Sequence, residues 1–529
     1  MRTPVNGRPS YVRLLLGRFA ELGEAEAFRG PAGSMTFEQA RALVVRLASA
    51  LHAHGVGRGD GVAVLAGNRP ETTLLQFALH LLGARAVWLS TGVAAAEQAA
   101  FLRLAGVSAF VYDTERFAAR GASLCAHLPR AHVLTLGEST HPDLLEAAAR
   151  APELPSDAVG EAGDVRTVFY TGGTTGRPKL VLHGHGFYET VRRMAAMSRG
   201  NAHRHLACLP VGHASGQLGI LLALLRGGTV VTMPEFTADS VLAAIERNRI
   251  NSTFLMPPLL YELLDHPASA HTDLSTLRCV TYGGSCTATA RLEQALNLLG
   301  PVLQQIYGSV ETGMVAALGP AGHDPAIPGR LSSCGRPLPF VNVRICDDGG
   351  HEQPAGKPGE IRVRGPMVMW GYWNAAGVEP ASPDGWFRTG DVGFLDHDGF
   401  LHVVDRIKDV VITGRHATTV YSRLVEDVLL AHPRVRQAAV VGYPDDRLGE
   451  VIRAFVVAAE DPDLARRLRL LVRERLGALY EPAFVDFVDR LPLTALGKVD
   501  KRACRRSPVT DPRARRWPGA MAARSARPE

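Results

Sequence analysis

Tyr170-Thr-Gly-Gly-Thr-Thr-Gly-Arg-Pro-Lys179 decides how the chain is read. The apolar run from Val165 to Tyr170 that leads into it has the length and composition of a buried strand. The next six residues are three threonines and three glycines, and a lysine follows three positions after the last glycine. Glycines let the backbone approach an anion closely, and threonine hydroxyls and amides can surround phosphate oxygens. The lysine adds a full positive charge. This is phosphate-loop chemistry at a strand end. It is not a Walker loop, because Gly176-Arg-Pro-Lys179 lacks the Gly-Lys-Ser/Thr ending, and it lacks the spaced glycines of the dinucleotide fingerprint. For an isolated loop, a solvated Gly/Thr turn with a surface lysine would be the better reading.

Lysine scarcity raises the loop above that reading. Of 58 basic residues only five are lysines: Lys179, Lys357, Lys408, Lys498 and Lys501. Where arginine has replaced lysine almost everywhere, a retained lysine marks a place where a compact ammonium does what a planar guanidinium cannot. Lys179, Lys408 and Lys498 each lie in a Gly- or Asp-marked segment; Lys357 and Lys501 read as surface charges.

Bulk properties set the frame. A chain of 529 residues, 46% hydrophobic and 21% charged, forms at least two globular domains. The net charge of +6 owes much to the eight arginines between Arg502 and Glu529, a segment without apolar periodicity that reads as a disordered, solvated tail. No apolar run reaches membrane-spanning length, and Met1 to Arg13 carries no signal core. The seven scattered cysteines include no Cys-x-x-Cys pair, which fits reduced thiols in a cytoplasmic protein. Nothing points to nucleic acid or membrane as a partner.

From about residue 36 to 300, short apolar strands alternate with amphipathic helices: strands at 61–65, 229–232, 251–256 and 277–281, helices at 71–82, 216–225 and 239–247. Such alternation predicts parallel sheets covered by helices. After about 330 the strands shorten, and Asp/Gly turns such as Asp347-Asp-Gly-Gly350 separate them. A helix at 425–431, strands at 435–442 and 451–458, a helix at 463–476 and a strand at 483–488 then predict a compact α+β unit, with a boundary near Asp405-Arg-Ile-Lys408.

Further motifs accompany the loop in a fixed order: Leu209-Pro-Val-Gly-His-Ala-Ser-Gly216, Tyr282-Gly-Gly-Ser-Cys286, Gln305-Ile-Tyr-Gly-Ser-Val-Glu-Thr-Gly313, Gly385-Trp-Phe-Arg-Thr-Gly-Asp391, Asp405-Arg-Ile-Lys-Asp409 and Leu491-Pro-Leu-Thr-Ala-Leu-Gly-Lys498. Together, over roughly residues 30 to 505, they resemble the adenylate-forming superfamily: acyl-CoA synthetases, adenylation domains of peptide synthetases, and luciferases, with acyl-CoA ligases the nearest. The resemblance implies an α/β protein with a large N-terminal domain of helix-covered, mostly parallel sheets plus a small β-barrel-like part. A small, mobile α+β lid would follow. The domain limits would be 1–404, a hinge at 405–409, the lid at 410–502 and a basic tail at 503–529.

It also implies roles. Thr171, Gly172, Gly173, Thr174, Thr175 and Gly176 with Lys179 would orient the ATP phosphates. Gly283, Gly284 and Ser285 would hold adenine by backbone, with Tyr307 and Gly308 beside it. Glu311 would hold Mg²⁺. Asp391 and Arg406 would bind ribose, and Lys498 would bridge carboxylate and α-phosphate. Gly212, His213, Cys286, Ser309 and Val310 would line the acid pocket; Lys408 would mark the hinge and Gly414 the acceptor channel. ATP, Mg²⁺ and CoA are the implied cofactors, a small carboxylic acid the substrate, and a monomer or homodimer the state.

The chain departs from the family pattern at several points. Gly172 stands for a serine and Leu180 for a glycine. Gly212 stands for an aromatic residue, Val310 for a threonine and Asp405 for a glycine. The lid loop Gly414 to Ser422 is about two residues longer than usual and lacks a proline and a second glycine. These differences predict a pocket reshaped for a polar or aromatic acid, and leave three functions open. One is an acid–CoA ligase. Another is an adenylating ligase with a different acceptor: an amine, a carrier protein, or nitrite en route to a diazo group. The third is a nucleotide-binding protein without turnover. Five histidines (His183, His185, His203, His205 and His213) lie close in sequence but lack zinc spacing. Pocket roles for His213 and Cys286 fit better than a metal or a reactive thiol.

Overall fold

A computed structural model describes residues 9–172, 178–197, 203–374, 377–379, 384–414, 418–445, 447–494 and 498–508. Two large sheets dominate, and each is built around parallel strands. In the first, of nine strands, Leu303–Ser309, Cys279–Gly283, Ser252–Leu255, Arg204–Ala207, Thr229–Thr232 and Glu26–Gly30 run parallel in that spatial order. In the second, of eight strands, the parallel core is Arg166–Gly172, Arg85–Trp88, Gly61–Leu65, Ala109–Asp113 and His132–Leu136. Strands buried on both faces need continuous apolar runs, and Gly61-Val-Ala-Val-Leu65 is buried at every position. Helices Pro70–Leu81, His185–Met197 and Ala214–Leu225 pack into the largest core cluster.

The helix ends follow local chemistry. Thr36 and Gln39 form a capping box on Phe37–Ala53, and Thr237 caps Ala238–Asn248. Pro257-Pro258, read from sequence only as a strand stop, are also the first helical residues of Pro257–Asp265, where proline's missing N–H costs nothing.

The part expected to be barrel-like is an open sheet of four antiparallel strands, Asn342–Cys346, Gly359–Arg364, Phe387–Leu395 and Leu401–Arg406. Pairing then passes to a separate sheet, in which Val411–Thr413, Gln437–Asp445, Gly449–Val457 and Phe484–Phe487 meet under helices Ser422–Leu430 and Pro462–Leu476. Its centre holds Arg453 and Asp486, 0% and 1% exposed, with Nε and Oδ2 2.6 Å apart.

The basic tail was expected to begin at 503, but that point falls inside the helix Lys501–Arg506. Cys504 is buried, and Arg453 donates to the Ser507 and Pro508 carbonyls, both at 2.7 Å. The folded unit therefore reaches Pro508, and residues 509–529 lie outside those described. All seven cysteines are free thiols. Among the described residues no helix is long and apolar enough to cross a membrane.

Candidate active site

In sheets of this kind ligands gather at the carboxyl ends of parallel strands. Three strands of the first sheet end at or lead toward sequence-predicted site residues. Cys279–Gly283 runs into Gly283-Gly284, Leu303–Ser309 carries Tyr307 and Gly308, and Arg204–Ala207 leads to Gly212-His213. The glycines are needed there. A Cβ on Gly283 would lie 2.3 Å from the Ile306 carbonyl, and one on Gly308 would lie 1.9 Å from that of Gly313. Gly284 has φ +88°. With Ser285 and Cys286 it is exposed, so backbone groups of this segment face open space.

The opening motif begins and ends on a pair of antiparallel strands. Arg166–Gly172 pairs antiparallel with Pro178–Gly184, placing Thr171 opposite Lys179 and Gly172 opposite Pro178. Gly173, Thr174, Thr175 and Gly176 lie outside the described residues. The Lys179 ammonium sits 4.6 Å from the centre of the Tyr372 ring, a cation–π contact that holds it at the base of the loop.

The open sheet supplies the opposite wall. Asp391 and Arg406 face each other across two strands, with Arg406 Nε 2.7 Å from Asp391 Oδ1. Tyr307 donates its hydroxyl to Asp391 Oδ2 at 2.7 Å, joining the first sheet to this one. Asp391 is only 5% exposed. Burial raises its carboxyl above the usual range, while Arg406 and the Tyr307 hydroxyl oppose that rise. Burial and the Asp391 charge push the Tyr307 phenol well up, so it stays a donor.

Lys498 reaches this place from the C-terminal unit. Its segment is fixed by Thr494 N donating to the Lys498 carbonyl at 2.7 Å and by the Leu493–Val499 bridge. Burial lowers the ammonium's pKa, Arg406 adds to the fall, and the carboxylates of Glu311 and Asp391 oppose it. The same charge reaches His213, whose imidazole is pushed down to about 4, mainly by burial and then by Lys498. His213 is therefore neutral at pH 7. Its Nδ1 caps helix Ala214–Leu225 through Ser215, 2.6 Å from the Ser215 hydroxyl.

Glu311 sits in the tight connection between Leu303–Ser309 and Gly313–Leu318. Its carbonyl accepts from Met369 N at 2.7 Å, and the preceding Val310 carbonyl bonds His183 Nε2 at 2.6 Å. Ser309 and Thr312 close the turn by exchanging side-chain and amide bonds. The Val310 side chain packs on the main core. The space beside Gly212 is taken up by Trp88, whose Cε3 would lie 3.1 Å from a Cβ there. Lys408 lies beyond Arg406, and burial lowers its pKa. Gly414 has φ +82° and donates its N–H to the Leu448 carbonyl at 3.1 Å.

The other histidines go elsewhere. His205 meets the Ser252 hydroxyl at 3.2 Å, His203 lies beside Arg226, and His185 begins a helix. Among the described residues no group of three or more His, Cys, Asp or Glu could hold a metal. Lys501, expected at the surface, instead pairs with Glu426 and donates to the Ser422 hydroxyl, each at 2.7 Å. Sequence reasoning also passed over Trp88 and Arg423, and it weighed His183 only for zinc; their partners lie 124, 137 and 127 positions away. Only the Ser309-x-x-Thr312 spacing carried a local signal.

An ammonium, a glutamate and a buried aspartate paired with Arg406 and Tyr307 thus converge on one cleft. That arrangement can hold a nucleotide by its sugar and phosphates and neutralise charge beside it. The family described as AMP-binding enzyme matches residues 18–373, and AMP-binding enzyme C-terminal domain matches residues 424–498. A medium/long-chain-fatty-acid–CoA ligase of Mycobacterium tuberculosis is 37% identical over 495 residues, covering 89% of this chain and 84% of its own. An indoleacetate–CoA ligase of Aromatoleum aromaticum is 37% identical over 487 residues, covering 90% and 93%. Among solved structures, the amide bond synthetase McbA of Marinactinospora thermotolerans superposes with a TM-score of 0.84 at 39% identity, covering 93% of this chain and 99% of that one. Motif order, sheet topology and converging residues all lead to one assignment: the chain belongs to the AMP-binding enzyme family of adenylate-forming ligases.

Proposed function

We propose that this protein activates a carboxylic acid with ATP and passes the acyl group to the thiol of CoA. The observation that carries the reading is Lys498, delivered from the C-terminal unit to the cleft that holds Asp391, Arg406, Glu311 and His213. A carboxylate oxygen attacks the α-phosphorus, the bond to the β-phosphate oxygen breaks, and pyrophosphate leaves with the electron pair. The thiol then attacks the acyl carbonyl and AMP leaves. The first step brings two anions together, so its barrier falls through positioning and fixed positive charge. Lys498 supplies that charge between carboxylate and α-phosphate. Asp391 and Arg406 hold the ribose, Tyr307 and the Gly283–Ser285 backbone hold adenine, and Thr171 to Gly176 with Lys179 hold the outer phosphates. Mg²⁺ prefers oxygen ligands and keeps most of its shell for water and substrate phosphates, so the single carboxylate of Glu311 fits it; when bound it neutralises phosphate charge. Residues 405–409 form the hinge on which the C-terminal unit turns between the two steps, and the protein works in the cytoplasm.

A second reading keeps the adenylate but gives it to an amine. It is favoured by the match to an amide bond synthetase along 93% of this chain, and by the altered lid loop. Pyrophosphate release over a panel of fatty, aryl and indolyl acids, with and without CoA, tests both. Release with a CoA thioester by mass spectrometry supports the first reading. Release with no thioester, and amide formed when amines are added, supports the second. No release with any acid overturns both.

A further inference from the structure

We propose that Arg423 is the positioning residue that holds Lys498 in the cleft, by clamping the C-terminal unit to the N-terminal one. The inference rests on the reading of Lys498 given above. Arg423 is the second residue of helix Ser422–Leu430 and is 7% exposed. Its Nη1 donates to the Cys286 sulfur at 2.9 Å and to the Val403 carbonyl at 3.0 Å; its Nε lies 3.6 Å from Asp427 Oδ2. Only the last of these belongs to the C-terminal unit. Cys286 follows the Gly283-Gly284 turn, and Val403 lies on the strand that carries Arg406.

A buried guanidinium must find acceptors for its fixed fork of donors, or return to water. Here most of them belong to the opposite unit, so Arg423 is satisfied in place only while the two units stay docked as seen. The neighbouring residue reinforces the dock: Ser422 donates its N–H and its hydroxyl to Asp405 Oδ2 at 2.6 and 2.9 Å. Lys501 does a different job. Its bond to Glu426, which also accepts from Val440 N, fastens the segment after Lys498 inside its own unit. Both partners of Lys501, Glu426 and the Ser422 hydroxyl, lie in its own unit, so it keeps them if the units part, and docking and internal integrity can be read separately.

The five lysines of the chain make that reading direct. The full-length protein, without ligand, is acetylated with an N-hydroxysuccinimide ester, and the rate at each lysine is followed by mass spectrometry, with the exposed Lys357 as internal reference. In Arg423→Met the Lys498 rate should rise about tenfold, as expected when a buried, hydrogen-bonded charge loses its place at an interface, while the Lys501 rate stays at the wild-type value. Cys286→Ala, which leaves the C-terminal unit untouched, should give a smaller rise of the same pattern. An unchanged Lys498 rate in Arg423→Met overturns the proposal. So does a parallel rise at Lys498 and Lys501, which would mean that the unit had lost its fold. Because no acid is needed, a failure of the proposed function in the acid panel would not be mistaken for either result.

Discussion

Each residue of the cleft earns its role from its surroundings. Lys498 is a compact ammonium held near two carboxylates and one guanidinium. Lys498→Ala should lower acid-dependent pyrophosphate release by a factor on the order of 10² to 10³, the usual cost of removing a preorganised charge-stabilising group. Transfer from a supplied acyl-adenylate should survive, and stopped assays of the two half-reactions separate them. Tyr307 matters through Asp391. Its hydroxyl stabilises the charged carboxylate against a burial that favours the neutral acid. In Tyr307→Phe the Asp391 pKa should rise further, so nucleotide binding should be lost at a higher pH as solutions are acidified. At pH 7 affinity should fall roughly tenfold, the worth of a hydrogen bond to a charged group; calorimetric titrations across pH check both. The family lysines were legible because so few lysines exist. The Tyr307–Asp391 bond was not, because it joins two sheets across 84 positions.

At the scale of elements, apolar runs bounded by glycine or proline were read closely. The strands Gly61–Leu65 and Thr229–Thr232 have the ends expected of them, because fully buried strands leave no polar residue to blur the edge. Ends were lost where one residue served two elements, as at Pro257, or where distant contacts extend an element, as Arg453 does for the helix Lys501–Arg506. The hairpin of Leu303–Ser309 and Gly313–Leu318 is the element on which the cleft most depends, since it carries Tyr307 and supports Glu311. Its strands approach so closely at Gly308 that Gly308→Ala should cost about 2 kcal/mol, a typical price of forcing a methyl into a packed interior. Thermal denaturation should show the loss, and pyrophosphate release should drop with it. Normal stability and turnover in that variant would contradict the close approach.

Across the whole molecule, several histidines are buried uncharged. Burial pushes His80 down to about 3, and His183 and His205 down to about 4. The unfolded chain protonates such groups near pH 6.5. Their folded values are lower, so the native state keeps its full advantage above pH 6.5 and loses it as pH falls toward 4. At pH 5 each should cost roughly 2 kcal/mol. Denaturation between pH 7 and 5 should show a steep decline, made shallower by His205→Gln; a decline of equal slope in the variant would refute the assignment. The sequence announced His183 and His205 only within a crowd without metal spacing, and did not mark His80, because what neutralises them is depth in the fold. Depth also links the two great sheets. Trp88 comes from the second sheet, Gly212 follows a strand of the first, and the indole stands 3.1 Å from where a Cβ on Gly212 would be. The aromatic bulk that the family pattern places at position 212 is met here by the Trp88 indole from the other sheet. The two positions form a volume exchange, and a descendant of this protein that enlarges one must shrink the other in the same step.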